Sequence, residues 1–146
     1  MPSKREQILS ALHEQLKVLE AEDIKVFRNL DKPQKIPAGG AIIILRDGDP
    51  GDPETLLSPL TYIYEHRARI EITMGEDAGD PAGNTLDGLL TVLGSLLIAD
   101  RTLNGLAEWV EPQAPEMLQE SIEGAPSIRA AIVQVMLRFA TNDPLN

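Results

Sequence analysis

The clearest pattern in the chain is the alternation of apolar and charged residues from Thr61 to Met74. Successive side chains of a β-strand point to opposite faces, so this pattern predicts one long strand with a buried face and a charged face. Because strands usually have about 3–10 residues, we expect this one to extend beyond its partners. The buried face carries Tyr62, Tyr64, His66, Ala68, Ile70, Ile72 and Met74, and the charged face carries Ile63, Glu65, Arg67, Arg69, Glu71 and Thr73.

Two amphipathic helices are predicted, one on each side of this strand in the sequence. The first runs from Arg5 to Ala21, with Ser3 as its N-cap and Glu6 completing a capping box. The second is capped by Asn84 and runs to about residue 101, and it carries the widest apolar stripe in the chain. We expect this second helix to be the main core helix.

Four other segments are strand candidates, and they set the predicted fold class. Strands that are joined by loops rather than by helices are expected to be antiparallel. The segment "AIIIL" is apolar on both faces, which indicates a central strand covered on both sides or a strand buried by a neighbouring subunit. The sequence therefore predicts an α+β fold in one domain, residues 1–146, with a mostly antiparallel sheet of about five strands and two main helices packed on one face. The four segments are Ile24–Asn29, Ala41–Leu45, Leu106–Pro112 and Ser127–Ala140.

Charge and composition exclude several classes of function. Thirteen basic and 23 acidic residues give a formal net charge of −10, which repels nucleic acid, and the densest basic cluster lies at the N-terminus. The chain has no cysteine, so disulfides, thiolate nucleophiles and cysteine-based metal sites are excluded. No apolar run reaches the length of a membrane span, and the first residues carry charges where a signal peptide has its apolar stretch. We expect a protein of the cytoplasm or of a particle assembled there.

The segment "RDGDPGDPETLLSPL", residues 46–60, is acidic and rich in glycine and proline. An EF-hand loop requires oxygen ligands at its first, third and fifth positions, glycine at the sixth and glutamate at the twelfth. Counted from Asp47, the fifth position is Gly51, the sixth is Asp52 and the twelfth is Ser58, so the pattern fails. We interpret the segment as a solvated connecting loop that binds no metal. A second loop of this kind is predicted over residues 75–84.

No residue pattern supports catalysis or a cofactor site. Of the two histidines, His13 is interpreted as a surface side chain and His66 as a hydrogen-bonded core or interface side chain. Neither a GxSxG nucleophile elbow nor a glycine-rich phosphate loop occurs. Glu65 and Glu71 alternate with arginines on one strand face, a pattern typical of a salt-bridged surface or of a subunit contact. We therefore expect a protein that is not an enzyme and that acts through assembly.

Two stretches, "VFRNLDKPQKIPAGGAIIILRDG" and "LSPLTYIYEHRARIEI", lie between an amphipathic helix and a leucine-rich helix followed by two closing strands. This arrangement, from Arg5 to about Thr141, resembles the minor tail and tail-terminator proteins of long-tailed phages, the lambda-type terminator family. The resemblance implies an α+β subunit that forms a hexameric ring on the tail tube, stops tube polymerisation and presents a surface to head-completion proteins. The implied partners are further copies of the chain, the major tail tube protein and a head-completion protein. The implied location is the virion tail, assembled in the host bacterial cytoplasm from a phage or prophage gene.

The resemblance also implies where the ring contacts lie, namely on the acidic loop from Asp47 to Pro59 and on the charged face of the long strand. We expect the free chain to be monomeric or weakly associated, with this loop mobile until a partner orders it. Two alternatives stay open: a head-completion or neck protein of the same virion, and, in a different class, an ion- or ligand-binding domain that uses the acidic loop. The candidate contact residues are Asp47, Asp49, Asp52, Glu54, Glu65, Arg67, Arg69 and Glu71.

Overall fold

The computed structural model describes residues 1–37, 39–75, 84–120 and 128–146. Within these ranges the chain forms two α-helices and seven β-strands, so the predicted α+β class is confirmed. A short 3-10 turn at Lys17–Leu19 follows the first helix. The elements in chain order are α1 (Lys4–Leu16), β1 (Ile24–Arg28), β2 (Ala41–Asp49), β3 (Glu54–Leu57), β4 (Leu60–Met74), α2 (Asn84–Ala99), β5 (Trp109–Pro112), β6 (Glu116–Glu120) and β7 (Ile128–Thr141).

One mixed sheet contains all of these strands, with β4 and β7 at its centre. These two pair antiparallel without a break, from Tyr62 opposite Thr141 to Met74 opposite Arg129. β2 and then β1 continue the sheet beyond β4, and β5 continues it beyond β7. β1 and β2 are parallel, whereas the other pairs of described strands are antiparallel.

The strands that flank β4 and β7 are each interrupted once. β2 pairs with the C-terminal part of β4 and β3 with its N-terminal part, so β2 and β3 lie end to end along one edge of β4. β5 and β6 share the outer edge of β7 in the same way. The centre of the sheet is therefore the long β4–β7 pair, and each of its two edges is lined by two shorter strands.

Gly48 allows β2 to form a β-bulge where it pairs with β4. The register between the two strands shifts between Arg46 and Asp49. Gly48 has φ +71°, and a Cβ atom there would lie 1.8 Å from the carbonyl oxygen of Arg67. Both the left-handed backbone and the close approach require glycine.

Both helices contribute to one core on the same face of the sheet. Residues from α1, such as Leu12, and from α2, such as Leu93, join the even-numbered residues of β4 in a single buried cluster. Tyr64 stacks on Phe139 of β7 with ring centroids 5.4 Å apart. The predicted buried face of β4 is confirmed from Tyr64 to Met74, whereas Tyr62, near the end of the sheet, is half-buried.

The opposite face of β2 is covered by the connection that follows β1. Leu30, Pro33 and Ile36 of this connection line a cavity of about 260 Å³ together with Ile42 and Ile44. This covering explains why Ile42 is only 4% exposed. Because the connection crosses the sheet before β2 begins, β1 and β2 run parallel, and the prediction that these loop-joined strands are antiparallel was wrong.

The ends of α1 also differ from the sequence prediction. Ser3 Oγ accepts the N–H of Glu6 at 3.1 Å, so the predicted N-cap is confirmed. The Glu6 carboxylate binds Ser10 and Arg28. The helix ends at Leu16 rather than at Ala21, because the chain tightens into the 3-10 turn before becoming extended.

Two segments to which the sequence analysis assigned no strand of their own contain strands, which raises the strand number from about five to seven in the described chain. Residues 46–60 hold the end of β2, all of β3 and the start of β4, and residues 113–126 hold β6. Both β3 and β6 are short and follow prolines, so their local patterns are weak and they depend on pairing with distant strands. Residues 76–83 of the second predicted loop, and the side chain of Asn84, lie outside the described residues.

Candidate assembly surface

The face of β4 that points away from the helices, here called the outer face, carries the charged residues predicted from the alternation. Glu65, Arg67 and Arg69 are exposed there, and Glu71 is half-buried. Their neighbours on β7 in the register are residues 138, 136, 134 and 132, on the same face. The predicted charged face is therefore present, and the core formed by both helices lies behind it.

The two acidic residues of the outer face are held in ion pairs. Glu65 lies 3.1 Å from Arg138 of β7, whose guanidinium also lies 3.2 Å from Glu108. Glu71 lies 2.9 Å from Arg46 of β2. Because these groups are partly exposed, each pair contributes only about 0–1 kcal/mol to stability. Their main effect is to fix the side chains across three strands.

Arg67 and Arg69 have no ion-pair partner within the part of the chain that the structure describes. Arg67 lies opposite Asp49 in the strand register but forms no ion pair with it, and Arg69 lies opposite the like-charged Arg46. Both arginines are exposed. In a chain with net charge −10, these two guanidinium groups can bind an acidic group of a partner.

The segment predicted as an acidic loop forms most of a projecting hairpin. β3 pairs with residues 60–63 of β4, whereas β7 ends at Thr141, opposite Tyr62. Residues 56–61 therefore extend past the end of β7, and all four residues of β3 are exposed. We call residues 54–63 the arm. The expectation of an irregular loop was wrong, because β3 finds its partner in the first residues of β4.

The end of the arm is apolar and uncharged. Leu57 is 81% exposed, and Leu56 and Leu60 are each 46% exposed. Ten consecutive residues, 55–64, carry no charge. We call residues 56–60 the tip. An isolated two-stranded hairpin is marginal in stability, and exposed apolar surface of this kind is typical of a contact with another molecule.

Arg28, at the end of β1, binds one carboxylate of α1 and one of β2. It donates two hydrogen bonds to Asp47, at 2.8 and 3.0 Å, and two to Glu6, at 2.8 and 2.7 Å. Bidentate pairs of this kind fix geometry as well as adding energy. Asp47 therefore lies apart from the outer face, where its carboxylate ties β2 to β1 and α1. We call Glu6, Arg28 and Asp47 the arginine clamp.

The clamp shifts the pKa of each of its members toward the charged form. The hydrogen bond from Arg28 holds the pKa of Glu6 below its usual value. Burial raises the pKa of Asp47, but hydrogen bonds from Arg28 and Asn29 outweigh it, so this pKa also lies below its usual value. Hydrogen bonds to Glu6 and then to Asp47 raise the pKa of Arg28. All three groups are therefore charged at neutral pH.

His66 lies beneath the clamp and is 1% exposed. Its Nε2 hydrogen-bonds the backbone carbonyl of Asp47, while its Nδ1 is buried without a partner among the described residues. Burial lowers the pKa of His66, and Arg5 lowers it further, although the contact with the Asp47 carbonyl opposes the shift. The neutral ring donates through Nε2–H, so the prediction of a hydrogen-bonded core histidine is confirmed. His13, which was predicted at the surface, is half-buried.

The other acidic residues of the predicted loop are not gathered around one point. Asp49 Oδ1 accepts the N–H of Gly51 at 2.8 Å. Asp52 is exposed between β2 and β3, and Glu54 is exposed at the start of β3. Across the described ranges, no three His, Cys, Asp or Glu side chains are grouped so that they could hold a metal ion.

An uncharged groove of about 290 Å³ opens between α2 and the break that separates β5 from β6. It lies in a longer uncharged region, since residues 88–99 carry no charge. The loop predicted as a ring contact includes residues 56–59 of the tip. Sequence reasoning gave the groove no role, although an uncharged run in an acidic chain marks its helix. The residues that line the groove are Leu90, Leu93, Gly94, Leu97, Pro112, Gln113, Ala114, Pro115 and Val133.

Within the described residues, no helix has the length and hydrophobicity that crossing a membrane requires. Comparison with known proteins finds no matching family model and no matching curated protein. The function is therefore inferred from the residues and their geometry.

Proposed function

We propose that this chain is the tail terminator of a long-tailed phage. In this role it caps the tail tube as a ring, hexameric in the family it resembles, stops tube polymerisation and forms the head-joining surface. Its partners are further copies of itself, the major tail tube protein and a head-completion protein. It acts in the virion tail, after assembly in the host bacterial cytoplasm.

The observation that carries this proposal is the projecting arm with its apolar tip. A monomer gains nothing from Leu57 at 81% exposure at the end of a hairpin that lies beyond the core. The outer face adds the arginines at positions 67 and 69, which have no ion-pair partner in the described chain. Surfaces of both kinds are typical of a subunit that binds several neighbours.

The geometry gives less support to an ion-binding domain built on the acidic segment. The Asp47 carboxylate is already neutralised by the two-pronged contact with Arg28. His66 is buried and uses one ring nitrogen to bind a backbone carbonyl. The Asp49 carboxylate accepts a hydrogen bond from the N–H of Gly51. The Asp47 carboxylate and one oxygen of Asp49 are thus bonded within the chain, and among the described residues the other acidic side chains are not grouped with them around one point.

Deletion of the gene from its phage tests the proposal. Electron microscopy of the lysate should show tail tubes of uncontrolled length that are not joined to heads. Normal-length tails on infectious particles would rule out the terminator function. Tails of normal length that lack heads would instead support the alternative, a head-completion or neck protein.

A reconstitution with purified proteins separates these two functions further. Polymerising tail tube protein should stop growing when the chain is added, and the added chain should be found at tube ends. A neck protein would leave tube growth unchanged. The matched control is the same chain with Leu57→Glu, which disrupts the tip without touching the core.

A further inference from the structure

We propose that the tip of one copy of this chain docks into the uncharged groove of a second copy. The inference rests on the proposed ring, because it specifies the contact between neighbouring subunits. The occupant of the groove is thus the apolar hairpin of the same protein, presented by residues 56–60.

Charge argues for a second copy as the occupant. Two chains that each carry a net charge of −10 repel each other wherever their acidic surfaces meet. Close contact is then favoured where both surfaces are uncharged. The exposed tip lies in the uncharged run 55–64, and α2 contributes the uncharged run 88–99 to the groove. Each copy therefore carries both halves of a contact that escapes this repulsion.

The chemistry of the two surfaces also matches. The tip offers leucine side chains, and the groove exposes uncharged residues from α2 and from the β5–β6 break, including Leu90, Pro112, Ala114 and Pro115. Burying apolar surface contributes about 25 cal/mol per Å². Neither surface has a charged side chain that would be desolvated in the contact.

The tip cannot reach the groove of its own chain. Leu60 begins β4, and Ile70, ten residues further along, is the register partner of the groove residue Val133. Ten residues of strand span about 33 Å. The contact must therefore join two copies through different surfaces, and such a head-to-tail contact gives a closed ring or an open filament.

Engineered cysteines test the contact directly, because the chain has none of its own. One sample carries Leu57→Cys at the tip and the other carries Ala114→Cys in the groove. When the two are mixed with polymerising tail tube protein under mild oxidation, so that the ring can form, we expect a mixed disulfide, identified by mass. The control replaces Ala114→Cys with Ser95→Cys, an exposed position of α2 that does not line the groove. It should cross-link about tenfold less.

A second pair of variants distinguishes docking from an effect on folding. A Cβ atom at Gly94 or at Gly88 would meet nothing within 4 Å, so both sites tolerate a side chain. Gly94 lines the groove and Gly88 does not. Gly94→Leu should therefore reduce cross-linking about tenfold while the melting temperature stays equal or rises. The matched variant Gly88→Leu should leave cross-linking unchanged.

Three outcomes would overturn the inference. They are the absence of a mixed disulfide, equal yields with the groove and control cysteines, and a tip cysteine that cross-links to tail tube protein instead of to the groove. Each is independent of the gene deletion. Uncontrolled tube length after deletion together with any of these outcomes would keep the terminator function and refute only this contact.

Discussion

Arg28 shows how one residue joins three elements of the fold. Its side chain is only 18% exposed and holds carboxylates from α1 and β2. These contacts lie beside the point where β2 leaves its main register with β4. The clamp is therefore expected to fix α1, β1 and β2 relative to one another.

Replacing Arg28 should destabilise the fold in a pH-dependent way. Arg28→Met leaves two carboxylates without their donor, and we expect a loss of about 1–3 kcal/mol at neutral pH. Because the pKa values of Glu6 and Asp47 are lowered in the folded state, the wild-type chain gains this stability above the unfolded pKa values. It loses the gain as pH falls through the folded ones. Denaturant unfolding should therefore show a shallower acid-side loss in the variant.

The exposed pair between Lys17 and Glu14 provides the control for the clamp. Their side chains are 44% and 69% exposed, so Lys17→Met should change the unfolding free energy by less than about 0.5 kcal/mol. An equal effect of the two substitutions would show that the clamp contributes no more to stability than an exposed ion pair.

His66 should make stability depend on pH between about 5 and 7. Its folded pKa lies below the ordinary value of 6.5. In this window the unfolded state binds more protons, so stability falls as pH drops, by at most about 1.4 kcal/mol per pH unit. His66→Gln keeps a side-chain amide that can donate to the Asp47 carbonyl and should flatten this slope. Burial lowers the pKa of His13 as well, so His13→Gln should also remove part of the slope and the double variant should remove more than either substitution alone. A slope unaffected by His66→Gln would contradict the assignment.

At the scale of elements, two glycines between the main part of β2 and the start of β3 separate backbone strain from steric clash. Gly48 and Gly51 have φ +71° and +66°, so alanine is strained at both. Only at Gly48 would the new Cβ atom meet the carbonyl oxygen of Arg67, at 1.8 Å, whereas nothing lies within 4 Å at Gly51. Gly51→Ala should destabilise the chain by about 1 kcal/mol.

Gly48→Ala should have a distinctly larger effect, because β2 must also move away from β4. We expect at least about 2 kcal/mol more than for Gly51→Ala, in the range of severe packing errors. Denaturant unfolding of the two variants measures the difference. Equal losses would mean that the β2 bulge adapts without breaking the pairing with β4.

The elements also show which parts of the fold can be predicted from local sequence patterns. The alternation predicted β4 from Thr61, one residue from its observed start at Leu60, and the leucine spacing predicted both helices. β3 and β6 were missed because each has one partner strand in the described sheet and little periodicity of its own. The parallel pairing of β1 with β2 was missed because the path of a connection across a sheet leaves no local pattern.

The candidate contact residues show the same limit. The alternation placed Glu65, Arg67, Arg69 and Glu71 together, because spacing along one strand fixes their face. It gave no sign that Asp47 pairs with Arg28, since that contact joins different strands. Composition alone therefore grouped Asp47 with acidic residues whose side chains have other roles.

At the scale of the whole molecule, the charge is distributed so that copies repel one another except at particular places. The chain carries −10 overall, yet the outer face presents two arginines without ion-pair partners in the described chain. The tip and the groove are uncharged. Such a distribution favours copies that stay dispersed when free. They would associate only in an orientation that brings the arginines to acidic groups and the uncharged surfaces together.

Reversing the two arginines should separate assembly from folding. Arg67 and Arg69 are exposed and form no ion pair among the described residues, so Arg67→Glu with Arg69→Glu should change the unfolding free energy by less than about 1 kcal/mol. The same change moves the net charge from −10 to −14, since each substitution removes one positive and adds one negative charge. In a ring this repulsion recurs at every subunit contact.

We therefore expect the double variant to fold normally and to fail in capping tubes. Thermal unfolding measures the first property, and the length of tubes grown with the variant measures the second. The control is Lys17→Glu with Lys35→Glu, which makes the same change of net charge at exposed positions after α1 and in the connection between β1 and β2, neither of which lines the cavity beside Arg46 and Thr73. If this control abolishes capping equally, total charge rather than the outer face governs assembly. If the arginine variant unfolds, the outer face supports the fold and is not a contact surface.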